Sequence, residues 1–207
     1  MRTPVRILAG STVAGTVVLL SLFAPVAYQP RAETLPVVAP RPPAGPPSSA
    51  GWIEGVRPSL EGMRLPTRGA DLDTLLRTVD RASARFSVDP VAVLAVILVE
   101  SRFDSGAVSP RGAKGLMQLR VETARELADD LGIPWTSDDL LHDPETNVVL
   151  GTYYLSSLVR RFGDLDLALA AFNAGPGRVQ SVAGGAPRGY ANRVWDAVVR
   201  LRLRPLA

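Results

Sequence analysis

The run Val91-Ala92-Val93-Leu94-Ala95-Val96-Ile97-Leu98-Val99 leaves this chain the fewest structural options. Nine consecutive apolar residues have to be covered on every side, so whatever they form lies inside a core. Periodicity alone does not separate a buried strand from a buried helix here, and the four valines favour a strand. Asp89-Pro90 just ahead favours a helix instead, because aspartate is a good N-cap and proline suits the first helical position. Glu100 closes the run, and the polar Ser101-Arg102-Phe103-Asp104 follows at once. A carboxyl group in the last turn of a helix buried all round is kept partly out of water. Burial disfavours its charged form, so such a group can hold a proton near neutral pH and donate it. The same glutamate could equally be a solvated helix end, and the rest of the chain has to distinguish the two.

The flanking pattern is helical. Leu72, Leu75, Leu76, Val79, Ala82 and Phe86 recur at three- and four-residue steps, an amphipathic helix that starts near Asp71. Residues 105–114, rich in Gly, Ser and Pro, read as a loop. Leu116 to Leu119 lead into a helix near Glu122–Leu131, closed by Gly132 and Pro134. Asp143-Pro144 repeats the capped start and opens a helix through Val148, Tyr153, Leu155 and Leu158 to Gly163. A short apolar helix, Leu165–Phe172, is broken by Asn173-Ala174-Gly175-Pro176-Gly177. A last helix runs from about Pro187 through Val194, Trp195 and Val198 to Leu203. No segment alternates like a strand. The expectation is a mainly α, single globular domain over residues 70–204, with little or no β.

Ahead of it, Arg2 and Arg6 precede residues 7–28, which carry no charge. That is the pattern of a signal peptide, and its length also suits an uncleaved N-terminal membrane anchor. Residues 29–69 read as a proline-rich linker, with Pro36, Pro40, Pro42, Pro43, Pro46 and Pro47 favouring extended geometry. Within it, Trp52–Arg68 is mixed in composition, and whether it packs on the domain is left open.

Several kinds of chemistry are argued against by composition. The chain has no cysteine, so thiolate metal sites and cysteine nucleophiles are excluded, and the single His142 argues against a multi-histidine site. Neither a metal nor a cofactor is expected. Residues 1–70 hold seven arginines against three acids, whereas residues 71–207 hold 16 basic and 17 acidic residues. A basic groove for nucleic acid is therefore not supported over the foldable part. Polar loops at 101–115, 173–178 and 183–190 interrupt the helical body, and a pocket would form where they converge. Glu100 stands at the mouth of the first. Ser109 and Gln118 could bond a ligand or the carboxylate, and Gly112 and Gly115 allow close backbone approach.

Taken in order, Glu100-Ser-Arg-Phe-Asp, Ala107-Val-Ser109, Gly112-Ala-Lys-Gly115-Leu-Met117-Gln118-Leu, Asp143-Pro-Glu-Thr-Asn147, Gly151-Thr-Tyr-Tyr-Leu155 and Ala170-Ala-Phe172-Asn173-Ala-Gly175-Pro-Gly177 resemble the soluble lytic transglycosylase family over roughly residues 71–200. These are lysozyme-like enzymes acting on peptidoglycan. The resemblance implies a goose-type lysozyme fold and a catalytic acid/base at Glu100, with Ser109 contacting substrate nearby. It implies that Met117 and Gln118 line the cleft, that Asn173 lies in a turn beside the glycan, and that Tyr190 is the late tyrosine whose hydroxyl approaches Glu100. Two departures stand out. Phe172 occupies a position where the family usually has tyrosine, and the stretch from Pro187 to Tyr190 is shorter than usual.

Asp104, the acid nearest to Glu100 in sequence, reads as a loop or cap residue. The implied reaction uses Glu100 alone, first as acid and then as base, with the substrate's N-acetyl group assisting and a 1,6-anhydro-muramic end as product. A hydrolytic muramidase and a non-catalytic glycan-binding module remain as alternatives. The expected partner is the peptidoglycan strand, with envelope or secretion-machine components possible. The expected location is the periplasm or wall side of the envelope.

Overall fold

The computed structural model describes residues 50–67, 69–180 and 188–203. The segment 1–28 and the proline-rich stretch up to residue 49 lie outside the described residues, as does 181–187 ahead of Tyr190. Among the described residues the chain forms eight α-helices and one 3₁₀ turn, in the order α1 (Ala50–Glu61), α2 (Gly69–Phe86), α3 (Pro90–Glu100), α4 (Val121–Leu131), the 3₁₀ turn (Asp138–His142), α5 (Pro144–Phe162), α6 (Leu165–Ala174), α7 (Pro176–Gln180) and α8 (Gly189–Arg202). No strand occurs among them. The nearest thing to one is a pair of isolated antiparallel bridges, Val108 to Lys114 and Lys114 to Leu119. The mainly helical class expected from the pattern is the one observed.

The apolar run is the central post. The Asp89 carboxylate accepts the Val91 and Ala92 N–H groups at 2.7 and 3.3 Å, so two of the amides that a helix start leaves open are satisfied. Val91 to Ile97 are all buried, and helices α1, α2 and α8 pack around them. Ser101 closes the helix with both its N–H and its hydroxyl on the Ile97 carbonyl, at 3.0 and 3.2 Å.

Helix α8 lies along this post with Tyr190, Val194, Ala197, Val198 and Leu201 turned inward, a stripe at helical spacing. Helix α5 starts at Asp143, whose carboxylate accepts from the Thr146 N–H at 2.8 Å, and ends at Gly163 in the left-handed region (φ 67°). It packs on α2, α4 and α6. A second, smaller apolar cluster (Leu119, Ala124, Leu127, Ala128, Leu141, Leu150) sits under α4, and Tyr154 and Phe172 touch both clusters.

Two boundaries differ from the sequence expectation. The stretch Trp52–Arg68, read within the linker, is in large part the helix α1. Val56 and Leu60 are 2% and 1% exposed, the Trp52 indole donates to Asp80 at 2.8 Å, and the Ser59 hydroxyl donates to the Leu203 carbonyl at 2.5 Å. The proline-rich composition upstream masks this short apolar pattern. Asn173, expected in a break, lies inside the last turn of α6. The helix continues to Ala174, Gly175 takes up the turn at φ 88°, and α7 follows directly.

Candidate active site

Glu100 is the last residue of α3 and Tyr190 the second of α8, so the pairing of these two helices brings the two side chains together. The Tyr190 hydroxyl donates to Glu100 Oε1 at 2.6 Å. Tyr190 is 4% exposed, and Glu100 is half-buried. Burial pushes the Glu100 carboxyl above the ordinary carboxylate range, while the Tyr190 hydrogen bond and the positive charge of Arg193 pull it part of the way back. Burial and the neighbouring carboxylate hold the Tyr190 phenol well above its usual value, so it stays a donor. Arg193, one turn further along α8, places its guanidinium 5.3 Å from the centre of the Tyr190 ring. No second carboxylate is among the described groups that shift Glu100. Asp104 is tied into its own loop, accepting the Gly106 N–H at 2.9 Å.

The backbone beyond Glu100 is unusual. Arg102 and Phe103 follow in the left-handed region, at φ 53° and 66°. Each such residue costs on the order of 1 kcal/mol, and bulky side chains resist it most. The turn persists because Phe103 is completely buried and its carbonyl accepts the Thr67 hydroxyl at 2.8 Å.

The loop from 104 to 120 carries three of the expected site residues, each held by loop backbone or by α5. The Ser109 hydroxyl oxygen accepts the Ala113 N–H at 3.0 Å. The Gln118 amide donates to the Ala107 and Gly115 carbonyls at 3.1 and 2.9 Å, with Gln118 itself at φ 50°. Met117, expected to line the cleft, is 0% exposed and packs against Gly151, where an added Cβ would collide with its sulfur. It therefore offers a ligand no surface, and the resemblance misled because a buried thioether and a cleft wall look alike in sequence. At the end of α6, Asn173 is exposed and Phe172 is half-buried, its ring tilted on Tyr154 at 5.3 Å. The missing hydroxyl at Phe172 thus leaves the ring packing intact.

Asn147 holds this loop in place, and the sequence reading had not singled it out. It is 0% exposed on α5. Its Oδ1 accepts the Met117 N–H at 2.8 Å, and its Nδ2 donates to the Lys114 and Leu141 carbonyls at 3.1 and 2.9 Å. Gly115, at φ 76°, lies so close that an added Cβ would collide with the Leu141 carbonyl and the Asn147 amide. His142 adds a second tie, its Nδ1 lying 2.9 Å from the Ser105 carbonyl. A signal was present: Asn147, Gly151, Leu155 and Leu158 follow one buried stripe of α5, and an amide on such a stripe must be satisfied by something specific.

Among the described residues Glu100 is the carboxyl group that burial raises, and it stands in a mainly helical domain. The family model described as the transglycosylase SLT domain matches residues 77–192, and the chain belongs to that family. Among similar proteins, the soluble lytic murein transglycosylase of Escherichia coli (strain K12) is 40% identical over 116 residues, covering 55% of this chain and 17% of that protein. The membrane-bound lytic murein transglycosylase F of Desulfosudis oleivorans is 37% identical over 109 residues, 49% of this chain and 22% of its own length.

Of solved structures, the 70 kDa soluble lytic transglycosylase of E. coli aligns with a TM-score of 0.56 at 31% identity, over 61% of this chain and 24% of that one. The lytic transglycosylase Slt of Pseudomonas aeruginosa, solved as an inactive Glu-to-Gln variant, aligns with a TM-score of 0.50 at 34% identity, over 62% and 21%. The chain thus spans only about a fifth of the length of these relatives. The family match begins inside α2 and excludes α1.

Proposed function

We propose that this chain is a peptidoglycan lytic transglycosylase that cuts the bond between N-acetylmuramic acid and N-acetylglucosamine without consuming water. The observation that carries the reading is Glu100: a carboxyl group raised by burial and held at one oxygen by the Tyr190 hydroxyl. The names of the relatives support the same substrate.

The residues then divide the work as follows. Tyr190 donates to Oε1, so the proton of the neutral acid rides on Oε2, which delivers it to the bridging oxygen as the bond to muramic C1 breaks. The substrate's own N-acetyl carbonyl takes up the charge at C1. The carboxylate left behind is stabilised by the Tyr190 bond and by Arg193, the two interactions that favour its charged form. It next takes the proton of the muramic C6 hydroxyl, whose oxygen closes on C1 to give the 1,6-anhydro ring. Glu100 ends protonated, ready for another cycle. The loop 104–120, stapled by Asn147 and Gln118, lies beside it, and the exposed Asn173 and the half-buried Ser109 are the polar groups proposed to meet the glycan. The apolar segment 7–28 would carry the domain to the outer side of the inner membrane, as a cleaved signal or as an anchor.

Mass spectrometry of peptidoglycan digested by the purified chain decides the matter. Muramic ends lighter by one water are expected. Reducing ends would assign hydrolysis instead, and an unchanged digest would leave a glycan-binding module.

A further inference from the structure

A cavity of about 700 Å³ opens on the flank of α3, between α8 and the turn that follows α1. Arg64, Arg102, Arg193 and Arg200 surround it, with Asp196 the one acid in its lining. All four arginines are exposed, and none is in an ion pair among the described residues, whereas Arg57, Arg81, Arg120, Arg125 and Arg202 each are. Met63, Leu98 and Ala197 add apolar surface to its lining. Glu100 and Tyr190 are not in its lining, but two of its arginines relate it to them. Arg102 stands two residues beyond Glu100, and Arg193 acts on Glu100 directly and lies against the Tyr190 ring.

We propose that this cavity binds the carboxylate-bearing peptide attached to the muramic sugar being cut, an inference that rests on the proposed peptidoglycan substrate. Three properties select this ligand. Guanidinium forks pair carboxylates in two parallel hydrogen bonds, so unpaired arginines around a concavity suit an anion with more than one carboxylate. Apolar side chains among the arginines suit a short peptide with alkyl side chains better than a bare phosphate, and the volume lies within the usual range for a small bound ligand, ~300–1,000 Å³. A substituent on the reacting sugar must also leave the cleft close to Glu100, where Arg102 and Arg193 stand. Arg102 lies inside the span matched by the family model, residues 77–192, and Arg64, Arg193 and Arg200 lie outside it.

Two measurements on the full chain test it. The first is calorimetric titration with an N-acetylmuramyl tetrapeptide carrying free carboxylates, and with the same compound amidated. Binding of the free acid is expected to be weaker by about tenfold for each guanidinium lost in Arg64→Gln and Arg200→Gln, and the amidated compound should bind no better than the double variant binds the acid. The second compares turnover of peptide-bearing and peptide-stripped glycan strands, where the double variant should lose its preference for the peptide-bearing form. Both residues are exposed, so a matched melting temperature guards against misfolding.

Equal binding of acid and amide would overturn the proposal. So would an unchanged double variant, or a loss confined to phosphatidylglycerol vesicles, which would assign the arginines to a membrane surface. Anhydro products with an unaltered preference would overturn the cavity assignment alone. Arginine-dependent peptide binding without anhydro products would overturn the proposed reaction and leave the cavity's ligand standing.

Discussion

At the residue scale, Glu100 and Tyr190 make opposing contributions that can be measured separately. Burial raises the Glu100 carboxyl above its unfolded value, so between the two values the folded state holds more protons than the unfolded one. Stability contributed by this group therefore falls as pH rises through that window. Glu100→Gln should accordingly melt at a temperature equal to or above wild type at pH 7, with the advantage shrinking towards pH 4, while turnover falls by about 10²–10⁴-fold or more.

Tyr190→Phe removes the hydrogen bond that lowers the Glu100 value. The descending alkaline limb of the kcat/KM profile should move to higher pH, with turnover reduced by roughly tenfold as the carboxyl group loses its fixed orientation. A tyrosine that only packed would lower the profile without moving the limb. Glu100 was legible from its place after nine apolar residues. Tyr190 was legible only through the resemblance, although its place on the Val194, Ala197, Leu201 stripe of α8 shows why its hydroxyl had to find a buried partner.

At the scale of elements, the loop between α3 and α4 is held by other elements rather than by its own propensity. Asn147→Ala would leave the Met117 N–H and the Lys114 and Leu141 carbonyls without their partner, a cost of about 2–4 kcal/mol. For a body of this size that corresponds to a fall in Tm of roughly 4–16 °C by calorimetry.

The caps made α3 and α5 readable, because Asp-Pro at a helix start is a local signal. Asn147 was not readable as a staple, since its three partners come from the loop and the 3₁₀ turn, which only the folded chain brings together. Helix α1 was hidden for a different reason: prolines surround it, and Pro58 lies inside it. Its membership of the body is testable through Leu60, 1% exposed. Leu60→Ala should cost about 2–5 kcal/mol in denaturant unfolding, where a residue of a free spacer would change stability by less than ~0.5 kcal/mol.

On the scale of the whole molecule, the charges do little for stability. Every ion pair among the described residues has both members well exposed, the least exposed being Arg57 with Asp73 at 31% and 39%. Such pairs contribute about 0–1 kcal/mol each and are screened by salt. Raising sodium chloride from about 0.05 to 0.5 M should therefore shift Tm by no more than about 5 °C, measured by circular dichroism. The near balance of charge over residues 71–207 hid the opposite fact, a local cluster of arginines around one cavity. Counting by segment averages it away, because Arg64 arrives from outside the expected domain and Arg193 and Arg200 from its far end.

The turn that carries Glu100 into the loop is held by Thr67, which lies on the chain between α1 and α2. This has a mechanical meaning. A load applied through the chain ahead of Ala50 meets α1 before it meets Thr67, and α1 is lashed to the far end of the body by Ser59 on Leu203 and to α2 by Trp52 on Asp80. Tension is therefore taken up in α1 and shared with α2 and α8, and the strained turn beside the acid is shielded from it. The geometry around Glu100 thus depends on α1 staying seated, although α1 contributes no residue to the Glu100–Tyr190 pair.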